Sequence, residues 1–206
     1  MTERPASELI DGKRDLDSLR DAASECRACE LWKLGTQTVF GEGESNSRVV
    51  FVGEQPGNDE DLTGRPFVGP AGKLLEKALS DAGIDRAKIY VTNVVKHFNW
   101  EPRGKRRIHK RPTSVHITAC RPWLEAEIRS IKPRVVVCLG ATAAQALLGR
   151  DFKVTKQRGE VIETGTGYQI VATIHPSAIL RAPDEQTRRD ELRRFVDDLK
   201  LIASLL

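Results

Sequence analysis

The chain of 206 residues has no long hydrophobic run. No apolar stretch approaches the roughly 20 residues needed to span a membrane, so a transmembrane helix is excluded. The N-terminus, MTERPASELIDGKRD, lacks the apolar centre of a secretory signal, and a soluble, cytoplasmic protein is expected. Cysteine is scarce, with four in the whole chain, and a disulfide framework is not indicated. Two of the four, Cys26 and Cys29, form a C-x-x-C, which in a reducing compartment suits a metal or cluster. A dominant charge is also missing: 33 Lys and Arg stand against 29 Asp and Glu, and the net +4 identifies no partner. Internal repeats, low-complexity tracts and an interdomain linker are absent. With 39% hydrophobic residues, a single domain over residues 1–206 is expected.

The elements that are present alternate. Residues 16–32 read as a helix with Cys26 and Cys29 near its end, and RVVFV at 48–52 as a buried strand stopping at Gly53. A helix over 71–82 follows a Gly/Pro-rich loop; then come a strand at 88–95, a helix at 114–131, a strand at 134–139 and a short helix at 141–148. Two strands, 160–164 and 168–173, are joined by a GTG turn, and an amphipathic helix closes the chain at 185–205. Strand runs too continuous for one-sided burial predict an α/β fold of three layers, α/β/α, around a mostly parallel sheet. Such sheets carry their chemistry on loops beyond the C-terminal strand ends. Here those loops are GEQPG at 53–57, the segment 96–112, and HPS at 175–177.

Taken singly, each loop also has an ordinary reading. Glu54 suits a strand-to-helix turn, Phe67 a core, Asn93 a structural bridge, and His175 a turn cap held where Pro176 ends the ladder. Cys138 lies in RVVVCL, where cysteine behaves as a small hydrophobe. The segment RGKRRIHKRP at 103–112 reads as a basic loop, solvated or against phosphates.

Together, GEQPGNDEDLTGRPFVGPAGKLL, VTNVVK and HPSAILR resemble the family 4 uracil-DNA glycosylases, over a span from about Cys26 to Arg181. The resemblance implies a uracil-DNA glycosylase-like fold acting on uracil-containing DNA. It implies Phe67 stacking on an extruded uracil, Asn93 reading its edge, Gln55 contacting it, and His175 donating to the departing base. It also implies a 4Fe–4S cluster on Cys26, Cys29 and Cys120, with His97 at the position where the family has its remaining cysteine. Zinc suits three thiolates and an imidazole equally well by chemistry.

KRRIH at 105–109, with GEQPG in place of the commoner GEAPG, resembles the X-type uracil glycosylases (UdgX), distinguished by covalent capture of DNA through the histidine of this loop. That resemblance makes His109 the nucleophile at C1′ and Glu54 its partner, both catalytic with His175, and it leaves Lys105, Arg106, Arg107 and Arg181 to hold DNA and the loop. Sequence spacing does not tell which of Lys105, Arg106 and Arg107 points inward. Asn58 replaces an acidic residue expected after GEQPG. The alternative is a turnover glycosylase with His109 as a DNA contact. No obligatory protein partner and a monomer are expected.

Overall fold

The computed structural model describes residues 4–206, so the first three residues of the expected single domain lie outside it. Along the chain run α1 (Ala6–Ile10), α2 (Leu16–Ser24), β1 (Glu42–Gly43), β2 (Val49–Gly53), α3 (Asn58–Thr63), α4 (Pro70–Asp81), β3 (Tyr90–Asn93), β4 (Trp100–Arg103), β5 (Arg106–His109) and α5 (Ser114–Ile131). They continue with β6 (Val135–Leu139), α6 (Ala141–Leu148), α7 (Val154–Gln157), β7 (Val161–Glu163), β8 (Gln169–Thr173), α8 (Pro176–Leu180) and α9 (Glu185–Ser204).

A six-stranded sheet has the order β1-β3-β2-β6-β8-β7. Its four central strands are parallel, while β1 and β7 add antiparallel edges. Every residue of β2 and β6 is buried, as strands covered on both faces must be. The strand period splits them between two cores. Val50, Val52, Val136 and Cys138 face α2, α5 and α6, where Leu19, Trp123 and Ala143 close the layer. Val49, Phe51, Val135 and Val137 face the other side, against Leu75 and Leu79 of α4 and Phe195 and Leu199 of α9. The predicted α/β/α layering is therefore the observed one.

Three expected boundaries shift. The helix expected over 16–32 ends at Ser24, because the Ala23 carbonyl is taken by Cys26 N–H and by the Thr38 hydroxyl instead of by a further turn. Cys26 and Cys29 thus sit in a loop, with a short 3-10 turn at Glu30–Lys33 after them. The strand expected at 88–95 is ladder only over Tyr90–Asn93; beyond it Val94 and Val95 N–H bond the carbonyls of Gly53 and Glu54. The basic loop is a hairpin, β4 paired antiparallel with β5 in the register Trp100↔His109 and Arg103↔Arg106. Gly104 turns it at φ +60°, the left-handed geometry a two-residue connection demands. Pro102 is tolerated because a two-stranded ribbon has only edges.

Candidate active site

Chain reversal beside β2, with β3 on one side and β6 on the other, opens a cleft at the C-terminal ends of the parallel strands. The cleft is about 800 Å³ in volume, and Glu54, Phe67, Asn93, His109 and His175 all line it. These are five of the residues singled out in the sequence, gathered from five separate loops or strand ends.

One wall of the cleft depends on glycine. Gly53 and Asn93 are register partners across β2 and β3, and a Cβ on Gly53 would stand 2.4 Å from Asn93 Oδ1 and 2.8 Å from Phe67 Cζ. Phe67 adopts φ +58°, a conformation that costs a bulky residue of order 1–3 kcal/mol and persists only when its surroundings enforce it. The enforcement is visible. Glu60, buried in α3, accepts from the N–H of Gly57 and of Gly69, tying both ends of the loop that carries Phe67. A Cβ on Gly72 would lie 1.7 Å from the Phe67 carbonyl oxygen, so α4 can seat that carbonyl only on glycine. Asn93 is supported from behind: its carbonyl accepts from Lys96 Nζ at 2.8 Å, and Lys96 is itself paired with Glu127 in the fully buried core.

His175 caps α8 and lines the cleft at once, so its two sequence readings are compatible. Its Nδ1 accepts from Ser177 N–H at 3.1 Å, with the Ser177 hydroxyl 2.8 Å away. Because Nδ1 is an acceptor, the neutral ring carries its proton on Nε2. Burial, reinforced by the nearby Arg181 and His109, lowers its pKa to about 4, so at neutral pH the ring is an uncharged donor. The Phe67 and His175 rings are 6.3 Å apart and inclined by 27°.

His109 ends β5 and places Nε2 3.5 Å from Glu54 Oε1. Burial lowers its pKa below the ordinary 6.5; Glu54 pulls the other way and Arg181 adds to the lowering. An uncharged imidazole is the result, with a lone pair to offer. Of the three cations in KRRIH, Arg107 points inward, whereas Lys105 and Arg106 are exposed. Arg107 pairs with the fully buried Asp61 of α3 at 2.6 Å and donates through Nε to Asn58 Oδ1 at 2.9 Å. Its guanidinium also lies 5.5 Å from the ring centres of Phe98 and Trp100. Asn58, the departure from the expected acidic residue, is thus an anchor for the hairpin. Asp61 gives no signal in the sequence, because an acidic residue in the first turn of a helix usually faces solvent.

Gln55, expected to contact uracil, turns its amide to the hairpin: Nε2 donates to the carbonyls of Asn99 (3.0 Å) and Lys110 (3.2 Å), while Oε1 accepts from Asn99 N–H. A side chain 7% exposed with its amide committed this way holds the hairpin's base, although the residue still borders the cleft. Arg181 borders the cleft as well, at its exposed rim.

The expected metal ligands, Cys26, Cys29, His97 and Cys120, do not line the cleft. Cys26 Sγ accepts from Trp123 Nε1 at 3.3 Å and Cys120 Sγ from Lys96 N–H at 3.2 Å, the N–H···S contacts that suit thiolates. Cys26 and Cys29 both act electrostatically on Cys120, whose thiol burial pushes up to about 12. His97 is held neutral by burial at about 4, and its Nε2 meets the Thr38 hydroxyl at 3.0 Å. Since that hydroxyl donates to the Ala23 carbonyl, His97 carries its proton on Nε2 and keeps its lone pair on Nδ1. The donor chemistry fits a cluster, whose several irons spread their ligands. Among the described residues, no three His, Cys, Asp or Glu side chains converge as a single ion requires. Cys138 stands apart in β6, fully buried.

A match to the uracil DNA glycosylase superfamily spans residues 40–200, most of the chain and all of the cleft. The chain belongs to that superfamily. Among its relatives within it, the type-4 uracil-DNA glycosylase of Thermotoga maritima is 40% identical over 193 residues, 93% of this chain and 94% of the relative. That of Archaeoglobus fulgidus is 38% identical over 200 residues, 92% and 94% of the two chains. A type-5 uracil-DNA glycosylase of Pyrobaculum aerophilum is 31% identical over 182 residues, 80% of this chain and 76% of its own. No helix among the described residues of this superfamily member is long and apolar enough to cross a membrane.

Proposed function

We propose that the protein excises uracil from DNA and then joins itself to the product through His109. The observation that carries this reading is the neutral His109 ring beside the Glu54 carboxylate, on a hairpin locked over the same cleft as Phe67, Asn93 and His175. Excision fits the type-4 relatives.

In this reading an extruded uracil lies against Phe67 while Asn93 donates to and accepts from its edge. The N-glycosidic bond breaks with its electron pair leaving on uracil, and His175 Nε2–H stabilises that charge. The sugar is left as an oxocarbenium ion, electron-poor at C1′. A lone pair of the His109 imidazole forms the new N–C1′ bond, and the proton it must lose passes by way of Glu54 to the uracil anion or to solvent. A tethered imidazole competes with water through its effective concentration. Lys105 and Arg106, exposed on the hairpin, and Arg181, exposed at the rim of the cleft, contact phosphates, and Arg107 holds the hairpin.

Cys26, Cys29, His97 and Cys120 would hold a 4Fe–4S cluster. When bound, the cluster supplies a four-point tie among the 26–29 loop, the chain after β3, and α5. Single-stranded DNA is the favoured substrate, because extruding a base from it costs least. The protein acts as a single-domain cytoplasmic monomer with no obligatory protein partner.

Denaturing electrophoresis after incubation with a uracil-containing oligonucleotide tests the reading. A heat-stable adduct is expected from the wild type, and free abasic DNA from His109→Ser, which leaves room for water at C1′. An adduct persisting in His109→Ser would overturn capture. Free abasic DNA from the wild type would leave a turnover glycosylase, and unchanged substrate would leave a DNA-binding protein.

A further inference from the structure

Glu54 has two carboxylate oxygens, and the proposed chemistry uses the one that faces His109. Left to itself, a glutamate on a loop rotates freely, so the other oxygen must be held. It is held by Thr142. The Thr142 hydroxyl, on a residue 5% exposed, donates a short hydrogen bond to Glu54 Oε2, and it accepts from Arg111 Nη2 at 3.2 Å. Arg111 Nε lies 3.8 Å from the same Oε2. We infer that Thr142 and Arg111 form a positioning arm that fixes Glu54 by one oxygen and aims the other at the reacting group. The inference rests on the excision-and-capture reading above.

The fold supplies both parts of the arm. β2 and β6 are parallel neighbours, so the loop bearing Glu54 and the start of α6 bearing Thr142 emerge side by side. Gly140, at φ +90°, makes the turn from β6 into α6, with its N–H bonded to the Thr173 carbonyl of β8. Thr142 therefore sits on an anchored helix start. Arg111 comes from the opposite direction. It lies two residues beyond the end of β5, and its carbonyl accepts from Asn99 Nδ2 at 3.1 Å, within the hairpin's base. A docked hairpin thus brings His109 to one oxygen of Glu54 and Arg111 towards the other. The hydroxyl can serve both neighbours because it has one proton to give and lone pairs to receive. Each bond polarises the next, Arg111 to Thr142 to Glu54. Neither residue touches the reacting atoms in this arrangement; they act through Glu54.

The test is the partition of product between adduct and free abasic DNA under single-turnover conditions, a ratio that a general loss of stability does not change. Thr142→Val keeps the branched shape and removes the hydroxyl. A hydrogen bond to a charged group is worth enough to expect adduct formation about tenfold to a hundredfold slower, with the partition moved toward free abasic DNA. Thr142→Ser restores the wild-type partition. Arg111→Gln, at an exposed side chain that folding tolerates, moves the partition the same way by less. A wild-type partition in both Thr142→Val and Arg111→Gln would overturn the arm. So would a Thr142→Ser protein that partitions like Thr142→Val. If the wild type forms abasic DNA and no adduct, capture is wrong, and the arm is judged on abasic product instead. Slower product in Thr142→Val, restored by Thr142→Ser, then upholds it, and equal rates overturn it.

Discussion

The side-chain amide of Gln55 bonds Asn99 on both its carbonyl and its N–H, and in doing so it closes the base of the hairpin that carries His109. The two sequence marks of the X-type resemblance, GEQPG and KRRIH, are therefore one structural unit. An alanine at position 55 could not make this clamp.

Gln55→Ala removes those bonds and the one to the Lys110 carbonyl, leaving the buried Asn99 N–H without its partner and its carbonyl with the Lys110 N–H alone. Each such loss costs about 1–3 kcal/mol, borne by the hairpin and not by the sheet. The expected outcome is faster amide hydrogen exchange across residues 99–110 and adduct formation slowed by about tenfold, with uracil release slowed less. Unchanged exchange in the hairpin would show that Arg107, through Asp61 and Asn58, holds it alone.

The sheet and most helices were legible because they rest on runs and periods local to the chain: RVVFV and RVVVCL announce doubly covered strands with no knowledge of their neighbours. The hairpin was not legible. Its cationic residues hide the strand alternation, and Gly104-Lys105 lacks the Asn or Asp that usually marks a two-residue turn. The cleft residues were found by motif, but what their side chains do was less accessible. Gln55 borders the cleft and yet turns its amide to the hairpin, and Asp61 is buried against an arginine 46 positions away. Contacts of that range leave no periodic trace.

Cys120 and Cys138 are both fully buried thiols that burial holds at about 12, yet their surroundings differ. Cys120 has Lys96 N–H on its sulfur and two other cysteines nearby; Cys138 is shifted by burial alone. Cys120→Ala is expected to abolish iron binding, read by iron analysis and loss of visible absorbance. Cys138→Ala should keep full iron and lose only about 1 kcal/mol of stability, the value of a small apolar group in the core. Iron lost from the Cys138→Ala protein instead would mean that the ligand set is drawn wrongly.

Adduct formation should depend on pH with a sign fixed by His109. Only the uncharged ring can attack, and burial together with Arg181 outweighs Glu54, so the ring protonates below the ordinary 6.5. Down to pH 6.5 more than half of the ring is therefore uncharged, and the adduct rate should keep more than half of its alkaline plateau. Below that it should fall, approaching about tenfold per pH unit once the ring is mostly protonated. His175, held at about 4, stays neutral over most of that range, so uracil release should outlast capture and free abasic DNA should accumulate at acid pH. An NMR titration of the free enzyme gives an independent check. His109 should titrate below 6.5, and lower still in Glu54→Gln, because removing the carboxylate charge removes the largest influence that favours the imidazolium. A His109 titration above 6.5, with the adduct rate already falling between about pH 8 and 7, would mean that the Glu54 carboxylate dominates and that the ring enters the reaction charged.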